Sequence, residues 1–214
     1  MKKVLLLIPI LALMISALLT LTACNGTEGG TPDKPHNHNF VNGICETCGE
    51  KNYSEGLKYT LNSDEQSYTV SGIGTCTDKD IVIPSIYESK PVTSIGSSAF
   101  SGCTGLTSIT ILDSVTSIGS SAFEDCTGLT SVTIGNSVKS IGYEVFAGCT
   151  GLTSITLSGS VTSIGQSAFS KCIGLASITF KGTKAQWDAI SKDSGWNSYT
   201  GTYTIHCTDG DISK

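Results

Sequence analysis

The chain has 214 residues, a length that allows one medium-sized domain and some shorter segments. Its formal net charge is -5, its pI is about 5.1 and only 14% of its residues are charged. This composition argues against nucleic acid as a partner, because nucleic-acid binding depends on clustered Lys and Arg that displace counterions. Much of the polarity comes from Ser, Thr and Gly, which suits a surface built of strands and turns.

Residues 1–23 have the pattern of a bacterial lipoprotein signal peptide. A basic start is followed by the apolar run Val4–Leu21 and then by small residues. Leu21-Thr22-Ala23-Cys24 resembles the lipobox, in which the cysteine is lipidated and the chain is cut before it. The run is long enough to remain as an uncleaved anchor, but no basic stop-transfer cluster follows it. We expect acyl chains on Cys24 to anchor the protein at the extracellular face of the bacterial membrane or cell surface.

Residues 24–35 read as a flexible linker, and residues 36–50 as a small module rich in His and Cys. The candidate metal ligands have the pattern H-x-H-x6-C-x2-C and are His36, His38, Cys45 and Cys48. Two imidazoles and two thiolates can close a tetrahedral structural zinc site, which would fold a segment too small for a hydrophobic core. The alternative is a disulfide between the two cysteines with uninvolved histidines. The nearby histidines favour zinc.

Residues 56–91 are expected to cap the repeats that follow. Leu57-x-Tyr59-x-Leu61 and Tyr68-x-Val70 alternate like two strands around the polar turn Asn62–Ser67. Ile81-Val82-Ile83-Pro84 then has the pattern of a divergent first rung. A cap is needed because an uncovered strand edge at the end of a repeat array promotes aggregation.

Residues 92–183 consist of four blocks of 23 residues that align without gaps. The blocks are VTSIGSSAFSGCTGLTSITILDS, VTSIGSSAFEDCTGLTSVTIGNS, VKSIGYEVFAGCTGLTSITLSGS and VTSIGQSAFSKCIGLASITFKGT. One block is too small to bury its own apolar side chains, whereas stacked blocks share a continuous core. Leu106-x-x-Ile109-x-Ile111 predicts a strand whose two isoleucines point inward. Ala122–Cys126 predicts a short helical turn that buries Phe123.

Each block carries one cysteine in the same column, and these four are Cys103, Cys126, Cys149 and Cys172. Stacked rungs place equivalent Cα atoms ~4.8 Å apart, a distance that a disulfide tolerates. The Cβ atoms stay about as far apart, however, whereas a disulfide needs a Cβ–Cβ distance of roughly 3.8 Å. We therefore predict buried free thiols that act as small hydrophobic side chains.

Residues 184–214 are expected to close the other end of the array. Lys184–Ile190 predicts a short helix, and Tyr203-x-Ile205-x-Cys207 predicts a last strand. Trp187 and Trp196 are interpreted as covers of the final rung. A ligand-binding role for Trp196 is the alternative.

The repeated phrase SVTSIGxxAFxxCxGLTSITI resembles the BspA-like class of bacterial leucine-rich repeats. The resemblance is strong over the four blocks and looser over the flanks, and it departs from the class at Leu112, Gly135 and Val145. It implies a mainly β, right-handed leucine-rich-repeat solenoid with short helical turns and terminal caps. BspA-like proteins are associated with attachment to host matrix components and to other bacteria, although fold alone does not establish function.

The strands predict a parallel sheet whose outward surface, the strand face, carries a ladder of small hydroxyls. Its members are Ser108, Thr110, Ser131, Thr133, Ser154, Thr156, Ser177 and Thr179. The simplest interpretation is that these are ordinary strand residues facing water. The functional interpretation is a flat platform for a host or bacterial surface protein or a glycan. An ordered-water or ice-binding face is a further alternative.

No catalytic residues are predicted. The chain has no arginine, and His206 is the one histidine outside the front module. A hydrolase needs a nucleophile, a base and an orienting group together, and the repeats do not supply this set. We therefore expect a binding protein, with a structural spacer as the alternative and an enzyme as the third interpretation.

Overall fold

The computed structural model describes residues 51–213 and the backbone of residues 40–41 and 44–45. The predicted signal peptide, Cys24, the linker, and His36, His38 and Cys48 lie outside the described residues. Of Cys45 only the backbone is described.

The regular elements in the described part of the chain are short strands and one short helix, and turns connect them. The strands that precede the repeats or begin them are β1 (Phe40–Val41), β2 (Ile44–Cys45), β3 (Lys58–Leu61), β4 (Tyr68–Gly72), β5 (Asp80–Val82), β6 (Ile86–Tyr87) and β7 (Lys90–Ile95). Those within the repeats are β8 (Ser108–Ile111), β9 (Ser117–Ile118), β10 (Ser131–Ile134), β11 (Ser140–Ile141), β12 (Ser154–Ser158), β13 (Ser163–Ile164) and β14 (Ser177–Lys181). The elements after the repeats are α1 (Lys184–Ala189), β15 (Ser191–Lys192), β16 (Thr204–Cys207) and β17 (Gly210–Ser213).

The main sheet has seven strands in the order β17-β16-β14-β12-β10-β8-β5. All neighbours are parallel except β16 and β17, which are antiparallel. Within the four blocks each residue pairs with its equivalent 23 positions away, as Val132 does with Ile109 and Ile155. The shorter strands form a second set of parallel pairs. In this set β7 pairs with β9, β11 pairs with β13, and β13 pairs with β15. The mainly β solenoid with a 23-residue repeat is confirmed.

The core contains a ladder of phenylalanine rings, one from each block. Phe100, Phe123, Phe146 and Phe169 are at most 1% exposed. Successive ring centroids are 5.2, 5.4 and 5.4 Å apart, with interplanar angles of 8°, 7° and 19°. Each buried ring contributes the transfer free energy of its apolar surface, and each aromatic pair adds about 0.5–1.5 kcal/mol. The rings therefore tie each rung to the next.

The segment before each cysteine is a run of turns, so the prediction of a helical turn at Ala122–Cys126 is wrong. One cause is backbone conformation, because Asp125, inside this segment, has a φ of 55° and a right-handed helix does not continue through that region. A second cause is hydrogen bonding. The amide of Phe123 donates to the carbonyl of Val145 in the next rung at 2.9 Å instead of bonding back within its own turn. The prediction that Phe123 is buried is confirmed.

The four repeat cysteines are free thiols, as predicted. Cys126, Cys149 and Cys172 are buried, and Cys103, in the first block, is half-buried. Each buried Sγ donates to the carbonyl of the phenylalanine 26 residues earlier, at 3.0, 3.0 and 3.1 Å. Burial raises the pKa of Cys126 and of Cys172 to about 12, because a thiolate would lose its hydration there. The thiols therefore bridge neighbouring rungs as well as filling space.

The ends of the array are covered by elements that the sequence indicated. β3 and β4 form an antiparallel hairpin, and β4 continues in parallel with β7. At the other end Thr183 and Gln186 form a capping box that begins α1, and Trp187 is 1% exposed. Trp196 lies edge-on to Phe169, with centroids 5.9 Å apart, and so terminates the phenylalanine ladder. β17 was not predicted.

Candidate functional site

The strand face is a set of columns fixed by the register of the main sheet. Ser131 pairs with Ser108 and Ser154, and Thr133 pairs with Thr110 and Thr156. The same register extends to Ser177 and Thr179. Parallel strands lie ~4.8 Å apart, so both columns repeat at that interval. The structure therefore brings all eight predicted residues to one surface.

Burial alternates along every one of these strands, which shows that the hydroxyl-bearing residues point away from the core. In β10, Val132 and Ile134 are buried, Ser131 is half-buried and Thr133 is exposed. The four serines are half-buried, and Thr133 and Thr179 are the most accessible members of the threonine column. The surface is uncharged over all eight positions.

Most hydroxyls on the strand face are available to a ligand or to water. Within residues 51–213, no hydrogen bond joins the hydroxyls of Ser131, Ser154, Thr133 or Thr156 to another protein group. An exception is Ser108, whose hydroxyl donates to Asp80 Oδ1 at 2.6 Å. A neighbouring column has a structural role, because Thr130 Oγ1 donates to the carbonyl of Thr107 at 2.9 Å and Thr153 repeats the contact. The sequence did not distinguish the free hydroxyls from the structural ones.

Charged residues border the strand face at its two ends. Asp80 occupies the serine column on β5, and Ser108 and Thr107 donate to its carboxylate. These two hydrogen bonds hold the pKa of Asp80 below its usual range. At the other end His206 continues the threonine column, and its Nδ1 lies 2.9 Å from Asp211 Oδ1. A polymer laid across the strands would meet neutral hydroxyls flanked by the carboxylates of Asp80 and Asp211.

A cleft of about 590 Å³, the strand-end cleft, opens where the strands of the first blocks finish. Thr110 and Thr133 of the strand face line it, together with Asp113, Asn136 and Lys181. Asn136 donates to Asp113 twice, from its backbone amide at 2.6 Å and from Nδ2 at 3.2 Å. Asp113 is not among the candidate site residues that the sequence predicted. Its place beside the strand face follows from the stacking of rungs, which a reading of one block cannot show.

Other predicted sites have no counterpart in the described part of the chain. Within it, no group of three or more His, Cys, Asp or Glu side chains is placed to hold a metal ion. Nor does any helix there have the length and apolar character needed to cross a bilayer. The predicted zinc ligands and the lipid attachment at Cys24 fall outside the described residues and stay predictions.

Comparison with known proteins gives a consistent result. The profile of the family described as BspA type leucine rich repeat region matches residues 75–192, in six copies. The match therefore extends beyond the four blocks at 92–183 on both sides, and it covers more than half of the chain. No curated protein sequence matches the chain.

Solved structures of leucine-rich-repeat proteins are similar to this chain. A protein from Bacteroides ovatus is 34% identical, with 61% of this chain and 37% of that chain covered and a TM-score of 0.52. A protein from Bacteroides capillosus is 28% identical, covering 59% of this chain and 95% of that chain, also with a TM-score of 0.52. A leucine rich cell surface protein from Faecalibacterium prausnitzii is 30% identical, with 68% of this chain and 44% of that chain covered and a TM-score of 0.47. The chain thus spans less than half of the B. ovatus and F. prausnitzii proteins.

Proposed function

Since the chain belongs to the BspA-type leucine-rich-repeat family, we propose that it is a cell-surface binding protein whose ligand lies across the strand face. The ligand class is an extended polymer, either a matrix protein of the host, a glycan, or a surface component of another cell. One observation carries the proposal. The strand face presents aligned, uncharged hydroxyls, and all of them except that of Ser108 have no hydrogen-bond partner within the described residues.

The physical fit to an extended polymer follows from the repeat. A ligand with its own regular spacing can meet the same pair of hydroxyls on every strand, so many weak contacts add together. The absence of charge on the face removes the desolvation cost that charged groups would impose. The strand-end cleft adds one carboxylate, one amide and one ammonium group at the border of the platform.

We propose that the amino-terminal segment anchors the solenoid and holds it away from the membrane. Acyl chains on Cys24 would hold the protein at the outer surface, and residues 24–35 would place the solenoid away from the membrane. A zinc ion on His36, His38, Cys45 and Cys48 would be structural, since four protein ligands leave no open position for catalysis. The proposed role is therefore binding and not catalysis.

The test uses bacteria that display the full chain, applied to immobilised matrix proteins, mucin glycans and bacterial cells. The test variant carries Thr133→Lys and Thr156→Lys on the strand face. The control carries Ser117→Lys and Ser140→Lys, which place the same charges on exposed positions of the second set of strands. Antibody labelling of unpermeabilised cells confirms equal display of each variant.

Saturable adherence that the strand-face variant loses and the control keeps is the expected result. Adherence that both variants keep would contradict the strand face as the binding surface. No adherence to any surface in the panel would leave the structural spacer as the better account.

A further inference from the structure

The amino-terminal cap contains a cleft of about 460 Å³, the tyrosine cleft, that is separate from the strand face. Tyr53, Tyr59 and Tyr87 line it together with Glu55 and Glu88. Its volume falls within the range of small-molecule sites. An inference about this cleft does not depend on the function proposed for the strand face.

The tyrosine rings are held in fixed positions by one another. Tyr59 and Tyr87 are stacked, with centroids 3.8 Å apart and an interplanar angle of 15°. Tyr68 packs edge-on against Tyr87, with centroids 5.0 Å apart. Rings that are already ordered lose little conformational entropy when a ligand binds. The cleft is therefore preorganised.

Glu88 is also fixed, by the turn that carries it. Tyr87 pairs with Lys90, and the two residues between them, Glu88 and Ser89, have φ values of 46° and 63°. This is the pattern of a two-residue type I′ hairpin turn. The hydroxyl of Tyr68 donates to Glu88 Oε2 at 2.7 Å and sets the orientation of the carboxylate. The turn thus holds a negative charge at the edge of the aromatic cluster.

The lining of the cleft suits a cation better than an anion. It offers two carboxylates and three aromatic rings, and none of its residues is Lys, Arg, His, Asn, Gln or Trp. The carboxylate of Glu88 would repel an anion.

The protein itself provides an example of a cation at this cluster. Lys51 lines an adjoining cleft that shares Tyr53 and Glu55. Its ammonium lies 5.8 Å from the centroid of the Tyr53 ring and forms an ion pair with Glu55. The same two kinds of group, an aromatic face and a carboxylate, are combined in the tyrosine cleft.

We propose that the tyrosine cleft binds a compact organic cation, with a methylated ammonium group as the best-matched chemistry. In its fully methylated, quaternary form this group has no N–H to donate, so its recognition depends on aromatic faces and a nearby negative charge. Tyr59 and Tyr87 supply the aromatic surface, and Glu88 supplies the charge.

The test measures binding of choline and of tetramethylammonium to the purified full chain by isothermal titration calorimetry. The neutral isostere 3,3-dimethyl-1-butanol and methyl glucoside are titrated beside them. The test variant is Glu88→Gln, which keeps the shape of the side chain. The matched control is Glu65→Gln, because Glu65 also has a positive φ, of 55°, but does not line the cleft. Phosphatidylcholine vesicles, compared with phosphatidylglycerol vesicles, distinguish a lipid headgroup from free choline.

Saturable binding of the two cations, weakened about fivefold by Glu88→Gln and unchanged by Glu65→Gln, is the expected result. Binding to phosphatidylcholine vesicles with the same dependence on Glu88 also supports the proposal. Equal binding of the neutral isostere, binding of methyl glucoside alone, or no binding of any probe overturns it.

Discussion

Replacement of Phe146 by Ala removes a ring from the middle of the phenylalanine ladder. Phe146 is fully buried, and it stacks on Phe123 and on Phe169 with centroids 5.4 Å away in each case. A buried Phe→Ala change costs about 3–5 kcal/mol through lost burial and the cavity that remains. Because two of the three phenylalanine stacks are broken at once, we expect a loss toward the upper part of that range.

The assay is urea unfolding of the purified chain, followed by circular dichroism. Tyr143→Ala is the control, since Tyr143 lies in the same block but is 48% exposed, and a change of less than about 0.5 kcal/mol is expected. A double substitution at Phe123 and Phe146 is expected to be non-additive by more than about 0.5 kcal/mol, because the two rings are in contact. A Phe146→Ala variant that loses less than about 1 kcal/mol would refute the view that the ladder couples the rungs.

Three further predictions follow from the same structure. The buried repeat cysteines resist iodoacetamide at pH 8 in the folded chain and react after unfolding, because burial raises the pKa of each thiol. Mass spectrometry after a timed pulse of reagent counts the labelled cysteines. Rapid labelling of the folded chain would contradict this prediction. Gly148→Ala is expected to destabilise the chain more than Gly102→Ala in urea unfolding. Both glycines have φ near 70°, but only at Gly148 would the new Cβ meet another atom, a carboxylate oxygen of Asp125 at 2.0 Å. Equal losses would show that the contact does not matter. The pKa of Asp80 is lowered in the folded state, so its ionised carboxylate adds to the free energy of unfolding. That contribution is present above the unfolded-state pKa of about 3.9 and is lost as the pH falls through the folded-state pKa. Asp80→Asn should make the free energy of unfolding less dependent on pH below about pH 4. An unchanged pH dependence would count against the hydrogen bonds to the Asp80 carboxylate.

The repeat made much of the fold predictable from the sequence. Equivalent residues such as Ile109 and Val132 recur every 23 positions, and stacking is the arrangement that buries all of them together. The pattern of alternation also placed Ser108 and Thr110 on the outer surface. Trp187 could be assigned to the core because it lies in a short helical segment next to the last rung.

Features that depend on contacts between rungs were not predictable from a single block. The turn that follows Ser121 is not a helix, because Asp125 has a positive φ and the amides of Phe123 and Asp125 bond to the next rung. The pairing of Asp113 with Asn136 joins residues 23 positions apart whose types do not repeat along the column. The tyrosine cleft was missed for the same reason, since Tyr59 and Tyr87 come from separate strands outside the regular blocks.

The most direct test of the central claim is site-specific photo-crosslinking from the displayed chain to a surface that it binds. A photoreactive side chain replaces Thr133 on the strand face in one variant and Ser117 on the second set of strands in the other, and both positions are exposed. The account predicts that Thr133 gives crosslinks to the ligand and that Ser117 gives none. Crosslinks from Ser117, or from neither position while binding persists, would contradict the assignment of the strand face as the binding surface.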